Sequence, residues 1–315
     1  LFPTEWLRFR LGVRGDVFFF EVDDRLPVQA PDRNFEPVLI KGNDVDGIVS
    51  PKLNVILSPF DADFDLYLNA GSGFHSNDAR GVVLSGTDGL VRAVGGEVGA
   101  RSAEIPGLDL AAALWILDLD SELVFSGDGG DVDADFDLVT GNFIPGGASR
   151  RWGVDFNSRY QLTDWAYLDY DLAWADPRFK NGDPIPLAPT LFMNGGLTFE
   201  HEGFGAAFRV RYLADRPADE ADTLTAQGWA LFDILLRYRW RNVELSLAFL
   251  NVTDTSWRET QFAEATCLRG EIAPGQPCPQ SGSLPADAFL AEGVEDVTFT
   301  PGAPFNIRGG IQVFF

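Results

Sequence analysis

Cysteine, methionine and histidine are scarce in this chain, with two, one and two among 315 residues. With so few soft ligands, no metal site and no cofactor is read from the sequence. Long apolar runs are missing as well. No stretch of about eighteen apolar residues occurs, which excludes a helical membrane span. Basic residues are outnumbered, 24 Lys and Arg against 47 Asp and Glu, for a net charge of −23. That balance argues against nucleic acid as a partner, because phosphate binding needs a basic surface, and against a polybasic membrane-surface binder. No 3.6-residue apolar period runs for any length. The chain opens on Leu1 with no signal peptide ahead of it, as expected of a processed product or a fragment.

Aromatic residues and strict alternation are what the chain has in quantity. The end, Asn306-Ile-Arg-Gly-Gly-Ile-Gln-Val-Phe-Phe315, sets Ile307, Ile311, Val313 and Phe315 against Arg308, Gly310 and Gln312. A period of two is a strand with one apolar and one wet face. Alternating segments recur at residues 7–22, 49–57, 64–69, 91–102, 108–125, 152–161, 168–174, 191–199, 204–213, 229–240 and 243–251. Short turns (58–63, 105–107, 162–164, 200–203, 241–242) take turns with long polar loops, the longest at 252–305. Twelve strands with such lopsided connections predict an all-β fold, an antiparallel transmembrane β-barrel forming one domain over residues 1–315. A soluble sandwich alternates too, but its strands usually run about five or six residues. Trp6, Trp152, Trp165, Trp174, Trp229 and Trp240 fall near strand ends, as interfacial girdles do. Arg8, Arg10, Arg14, Asp155, Arg159, Asp169, Asp171, Arg209, Arg211, Arg237 and Arg239 are expected on the inner face, as a hydrated wall or a substrate path.

The terminal strand resembles the closing strand of bacterial outer-membrane barrels. There the final aromatic is part of the signal read by the assembly machinery, a role that would fall here on Ile311, Val313 and Phe315. Further stretches are similar to the C-terminal part of a TonB-dependent receptor barrel. They are Ser50-Pro-Lys-Leu53, the run from Asp65 through Gly81, Asn251-Val-Thr-Asp254, Trp257-Arg-Glu-Thr-Gln-Phe262 and Val297-Thr-Phe-Thr-Pro-Gly302. The resemblance implies a barrel of about 22 strands in the outer membrane of a Gram-negative bacterium, in contact with its lipid. Short turns would be periplasmic and long loops extracellular. It also implies a plug domain, through which the TonB energy-coupling protein would act as partner, and a small-molecule or metal-chelate ligand such as a ferric siderophore. Twelve strands without a plug predict the C-terminal portion of such a barrel, with a complete twelve-stranded barrel as the alternative.

Several residues carry candidate chemistry. His75, Asn77, Asp78 and Arg80 lie in an expected outer loop, either touching a metal chelate or siderophore carboxylate or stabilising the loop by hydrogen bonds. Asp128, Asp131, Asp133, Asp135 and Asp137 alternate like the start of a calcium loop but lack its fixed Gly and bidentate Glu, so a solvated acidic loop is expected. Cys267 and Cys278, an isolated pair in an exported chain, read as a disulfide. An outer-membrane phospholipase is the enzyme alternative, prompted by His75-Ser76-Asn77. Adjacent strand residues face opposite sides, which sets His75 away from Ser76. A passive porin is the third reading. The chain is expected to be no enzyme.

Overall fold

The computed structural model describes residues 4–23, 28–29, 37–38, 41–59, 63–77, 79–85, 88–125, 143–266 and 294–314. Twelve strands join in one sheet. They are β1 (Leu7–Asp23), β2 (Lys41–Leu57), β3 (Phe64–Ser76), β4 (Leu90–Ile105), β5 (Leu108–Leu119) and β6 (Ser149–Thr163). The second half comprises β7 (Ala166–Phe179), β8 (Leu191–His201), β9 (Phe204–Leu213), β10 (Trp229–Trp240), β11 (Val243–Leu250) and β12 (Asn306–Val313). Each strand is antiparallel to the next, so the sheet is an up-and-down meander. Among the described residues β1 and β12 are not paired with each other, and the sheet has two edges. One short helix, α1 (Ala79–Ser85), is the only α-helix among the described residues.

The connections are lopsided, as the sequence predicts. At one end four turns of two residues, 106–107, 164–165, 202–203 and 241–242, close hairpins, and residues 58–63 close a fifth. Gly107 and Gly203 hold φ of +78° and +85° there, the left-handed region that only glycine enters freely. The opposite end carries every long connection, up to residues 251–305.

Register converts the alternation into two unlike faces. Leu11 lies opposite Leu53, and Leu53 opposite Ala70, so one parity runs unbroken from strand to strand. That parity exposes Val13 at 78%, Phe19 at 79% and Ile311 at 75%, together with Leu114, Phe208, Phe232 and Leu245. A soluble sheet buries its apolar face; this one displays it. The opposite face is concave and polar. A small apolar core forms where β2 stops pairing with β3, beyond Lys52↔Gly71. From there β3 pairs with β4 alone, and Phe74 and Leu90 pack against Phe18, Phe20 and Ile48 on the otherwise polar face, with Val82 of α1.

Four features depart from the sequence reading. β2 starts at Lys41, well before its apolar alternation, because β1 continues opposite Gly42-Asn-Asp-Val-Asp-Gly47 and supplies ladder partners whatever the side chains are. The strand expected over 108–125 breaks at Asp120 and Ser121; Glu122–Phe125 leaves the sheet to pair with Phe143–Gly146. Within the longest connection, Arg258–Thr266 pairs with Val294–Pro301. Trp229 is no girdle residue either. It lies on the inward register and packs edge-on against Trp257 with centroids 5.4 Å apart. Trp152 and Trp174 meet at 4.9 Å towards the long-loop end, whereas exposed Trp165 and Trp240 flank the short turns.

Candidate functional site

The charges expected on the inner wall do share the concave face, since Arg159 lies opposite Asp169, Asn157 opposite Asp171 and Arg209 opposite Asp233. Near the short-turn end the wall encloses a concavity of about 980 Å³ lined by Arg8, Ser58, Asp65, Arg101, Arg159 and Asp169, among others. A second hollow of about 540 Å³ shares Arg8, Asp65 and Arg101 and adds Arg10, Asn54, Tyr67, Asn69 and Glu97.

Charges crowded on a concave surface are stable only if paired and hydrogen-bonded. Asp65 is the centre of the pairing here, its side chain 12% exposed. Its Oδ1 accepts from Arg8 Nη2 at 2.8 Å and from Ser58 Oγ, and its Oδ2 accepts from Arg101 Nε at 2.8 Å and Nη2 at 2.5 Å. Asn54 Nδ2 donates to Asn69 Oδ1, and Asn69 Nδ2 to Glu97 Oε1, both at 2.5 Å, carrying a polar ladder across β2, β3 and β4. Further round, Arg209 donates to Asp169 at 2.5 Å and to Thr198 Oγ1 at 3.0 Å, Asn157 to Asp171 at 2.8 Å, and Arg237 to Glu200 at 2.6 Å. Arg159 stacks over Tyr167, and Arg239 lies 4.1 Å from the Phe314 ring centroid. The wall therefore offers both signs of charge with most of it internally compensated, which suits polar, hydrated species. Arg101 and Glu97 were missed from the sequence because the glycines of β4 dilute its alternation.

Glycines shape this wall. A Cβ at Gly99 would meet the Tyr67 ring, at Gly153 the Trp115 ring, at Gly196 the Arg209 side chain and at Gly205 the Arg237 side chain, each closer than 3.0 Å. Those four large side chains lie across bare backbone.

At the other end, polar side chains tie down the long connections. Asn77 donates its backbone N–H to Gly89 O at 2.9 Å and its Nδ2 to Asp88 O at 2.7 Å. Ser149 Oγ and Arg151 Nη2 both donate to Glu122. Asp215 Oδ1 accepts from Gly228 N at 2.6 Å, and Gln227 and Gln261 exchange two bonds of 2.8 Å. Half-buried Arg216 donates Nε to Leu187 O at 3.0 Å; burial pulls its guanidinium pKa below the usual value, against the opposing pull of Asp215.

The Asn251-Val-Thr-Asp254 stretch is the most built of these ties. Asn251 (φ +51°) and Asp254 (φ +48°) both adopt the left-handed conformation that Asn and Asp tolerate best. Buried Asn251 accepts from Thr255 N at 2.9 Å and donates Nδ2 to Thr255 O at 2.9 Å and Ala303 O at 3.2 Å. Asp254 Oδ1 accepts from Phe305 N at 2.9 Å, and Trp257 Nε1 donates to Ala303 O at 3.0 Å over Gly302, where a Cβ would strike the indole. Both ends of the connection are thus held together.

His75 lies on β3 opposite Val91 rather than in a loop, with Ser76 opposite Leu90 on the other face. Asn77 is buried and engaged with the backbone of Asp88 and Gly89. Asp78, the side chain of Arg80, the acidic run of residues 128–137, Cys267, Cys278 and Phe315 lie outside the described residues. Ile311 and Val313 are exposed on the apolar face of β12. Among the described residues no group of three or more potential metal ligands comes together.

A sheet that displays apolar side chains, keeps its charges on the concave side and sorts short from long connections defines a transmembrane β-barrel wall. The family described as TonB dependent receptor-like, beta-barrel, matches residues 2–253, and the chain belongs to it. That family is one of receptors and transporters rather than enzymes. Among solved structures, the ferric-catecholate import receptor Fiu from K12 E. coli is similar at 15% identity and TM-score 0.69, over 99% of this chain and 43% of that one. The copper transporter OprC shares 18% identity at TM-score 0.66, over 81% and 42%. The ferric yersiniabactin uptake receptor FyuA from Yersinia pestis shares 15% at TM-score 0.66, over 99% and 44%. At these identities the likeness is one of fold, and the chain spans less than half the length of each. No curated protein matches the chain.

Proposed function

We propose that this chain is wall of a receptor in the outer membrane of a Gram-negative bacterium, folded as one domain, that takes up a scarce nutrient such as a ferric siderophore or another metal chelate. The observation that carries the reading is the inverted sheet: exposed Val13, Phe19, Leu114 and Ile311 on one side, the Asp65 and Asp169 ion pairs on the other. An apolar outer face suits lipid, and a compensated polar inner face suits passage of hydrated solutes past a plug. Fold neighbours that import ferric chelates and copper support a metal-chelate ligand. The partners in this reading are membrane lipid, the barrel-assembly machinery acting on the Ile311-to-Phe315 strand end, the TonB energy-coupling protein and the chelate. His75 is proposed as the ligand-facing member of the His75, Asn77, Asp78, Arg80 group, and Cys267 with Cys278 as a disulfide.

The test uses the full-length protein carrying this chain, produced in a Gram-negative host starved of iron. Uptake of radioiron on catecholate, hydroxamate and citrate chelators is compared with and without the host's energy-coupling protein. Energy-dependent uptake of at least one chelate is expected; equal uptake in both hosts would point to a passive pore. Leu114→Lys, on the exposed face, should lower the yield of membrane-inserted protein, because a central lipid-facing charge costs about 2–4 kcal/mol. Unchanged yield would count against the membrane assignment.

A further inference from the structure

Asp233 on β10 holds two elements at once. Its Oδ2 accepts from Arg211 Nη2 of β9 at 3.0 Å, and its Oδ1 accepts from the backbone N–H of Asn251 at 2.9 Å. The carboxylate is buried, with 9% of its side chain exposed, whereas Arg211 is 44% exposed on the concave face. Asn251 opens the clasp that gathers Thr255, Ala303 and, through Asp254, Phe305. We propose that Arg211 is a positioning residue for the base of the 251–305 connection, acting through Asp233, so that the polar wall and the longest connection are mechanically coupled at this carboxylate. This goes beyond the uptake reading and does not rest on it.

The physical argument is one of sharing. A buried carboxylate that loses its cation depends more heavily on the donor it retains, which here is the Asn251 amide. Losing Arg211 changes the charge balance and orientation of Asp233, and hence the geometry offered to Asn251. Arg211 is itself loosely held: a guanidinium has five N–H donors, and one hydrogen bond from it is recorded among the described residues. An anionic group arriving at the concave face meets a guanidinium with donors to spare, and drawing it away from Asp233 reaches the clasp. Arg209 offers the control: it lies opposite Asp233 in the ladder and two residues from Arg211 on the same face, yet its guanidinium bonds Asp169 and Thr198.

Amide hydrogen exchange on the full-length protein in detergent, followed over residues 251–257 and 302–306, reads the coupling. Arg211→Gln and Arg211→Met, both close to Arg in length, should speed exchange in these two segments about tenfold, the scale of one charge-assisted hydrogen bond partly open to solvent. Arg209→Gln should leave the segments within about twofold of the parent. Having two replacements at position 211 guards against one failing to fold. The proposal is overturned if the folded Arg211 variants exchange like the parent, or if Arg209→Gln loosens the clasp equally.

Discussion

The two ends of the sheet solve the same problem by different means. At the short-turn end neighbouring strands are joined by two residues, and the turn itself fixes the register, with Gly107 and Gly203 supplying the positive φ. At the long-loop end up to fifty-five residues separate neighbouring strands, as between β11 and β12 (251–305). There the return point is fixed by side chains that bond backbone across the base: Asn77, Asp215, Gln261 and Asn251. Short connections need conformational permission, whereas long ones need a polar group buried at the root. The first is a local property of the chain and the second is tertiary.

Substitutions at the two ends should therefore differ in kind and in size. The largest effect is expected at Asn251→Ala, which removes three side-chain hydrogen bonds within a buried clasp and takes the Asn251 partner from Thr255 N and Thr255 O, while Ala303 O keeps only Trp257 Nε1. A loss of about 2–4 kcal/mol follows, read by thermal unfolding in detergent, with faster proteolysis between residues 258 and 301. A loss below about 1 kcal/mol would mean the clasp is redundant. Gly203→Val comes next: a Cβ there sits 2.6 Å from Arg239 O at a positive φ, so about 1–3 kcal/mol is expected. That variant should slow refolding without raising proteolysis at the far end. Asp65→Asn leaves Arg8 and Arg101 uncompensated, but Arg101 is 59% exposed and water screens it, so about 1 kcal/mol is expected by denaturant titration. The smallest is Arg237→Gln. Its pair with Glu200 is half-exposed on both sides, and a change of about 0–0.5 kcal/mol, fading with added salt, is expected. A large effect here would show that surface pairs near the short turns matter more than their exposure suggests.

The same contrast explains what could be read from the sequence. Strand number, direction and facing were legible because each strand states its own period, as in Leu7 through Arg14 or Phe204 through Leu213. The short turns were legible through Pro106-Gly107 and Glu202-Gly203. What stayed hidden depends on a partner. Gly42 through Gly47 has no apolar alternation, and β1 makes it a strand. Trp229 resembles the other tryptophans until register turns it inward onto Trp257. The Asn251 stretch was visible as a motif, yet its task is to bond backbone atoms some fifty positions away, as with Ala303 O. On the wall, Arg8, Arg209 and Arg237 were expected, whereas Arg101 and its acceptor Asp65 were not, since that pairing requires the β3–β4 register.

Tyr67, Trp115, Arg209 and Arg237, laid over Gly99, Gly153, Gly196 and Gly205, bear on clearance. An arginine standing upright on a concave wall would project into the space the wall encloses, and an indole would block much of it. Stretched along the surface instead, each contributes its hydrogen bonds or ring face while occupying little more than the thickness of the backbone beneath it. The concave face is thus kept low at these four places by the absence of a methyl group. An alanine at Gly205, whose Cβ would meet the Arg237 side chain, would lift that neighbour like a hinged flap without altering the charge of the wall, whereas at Gly99, Gly153 and Gly196 it would also strike the backbone oxygens of Ala112, Trp174 and Phe208.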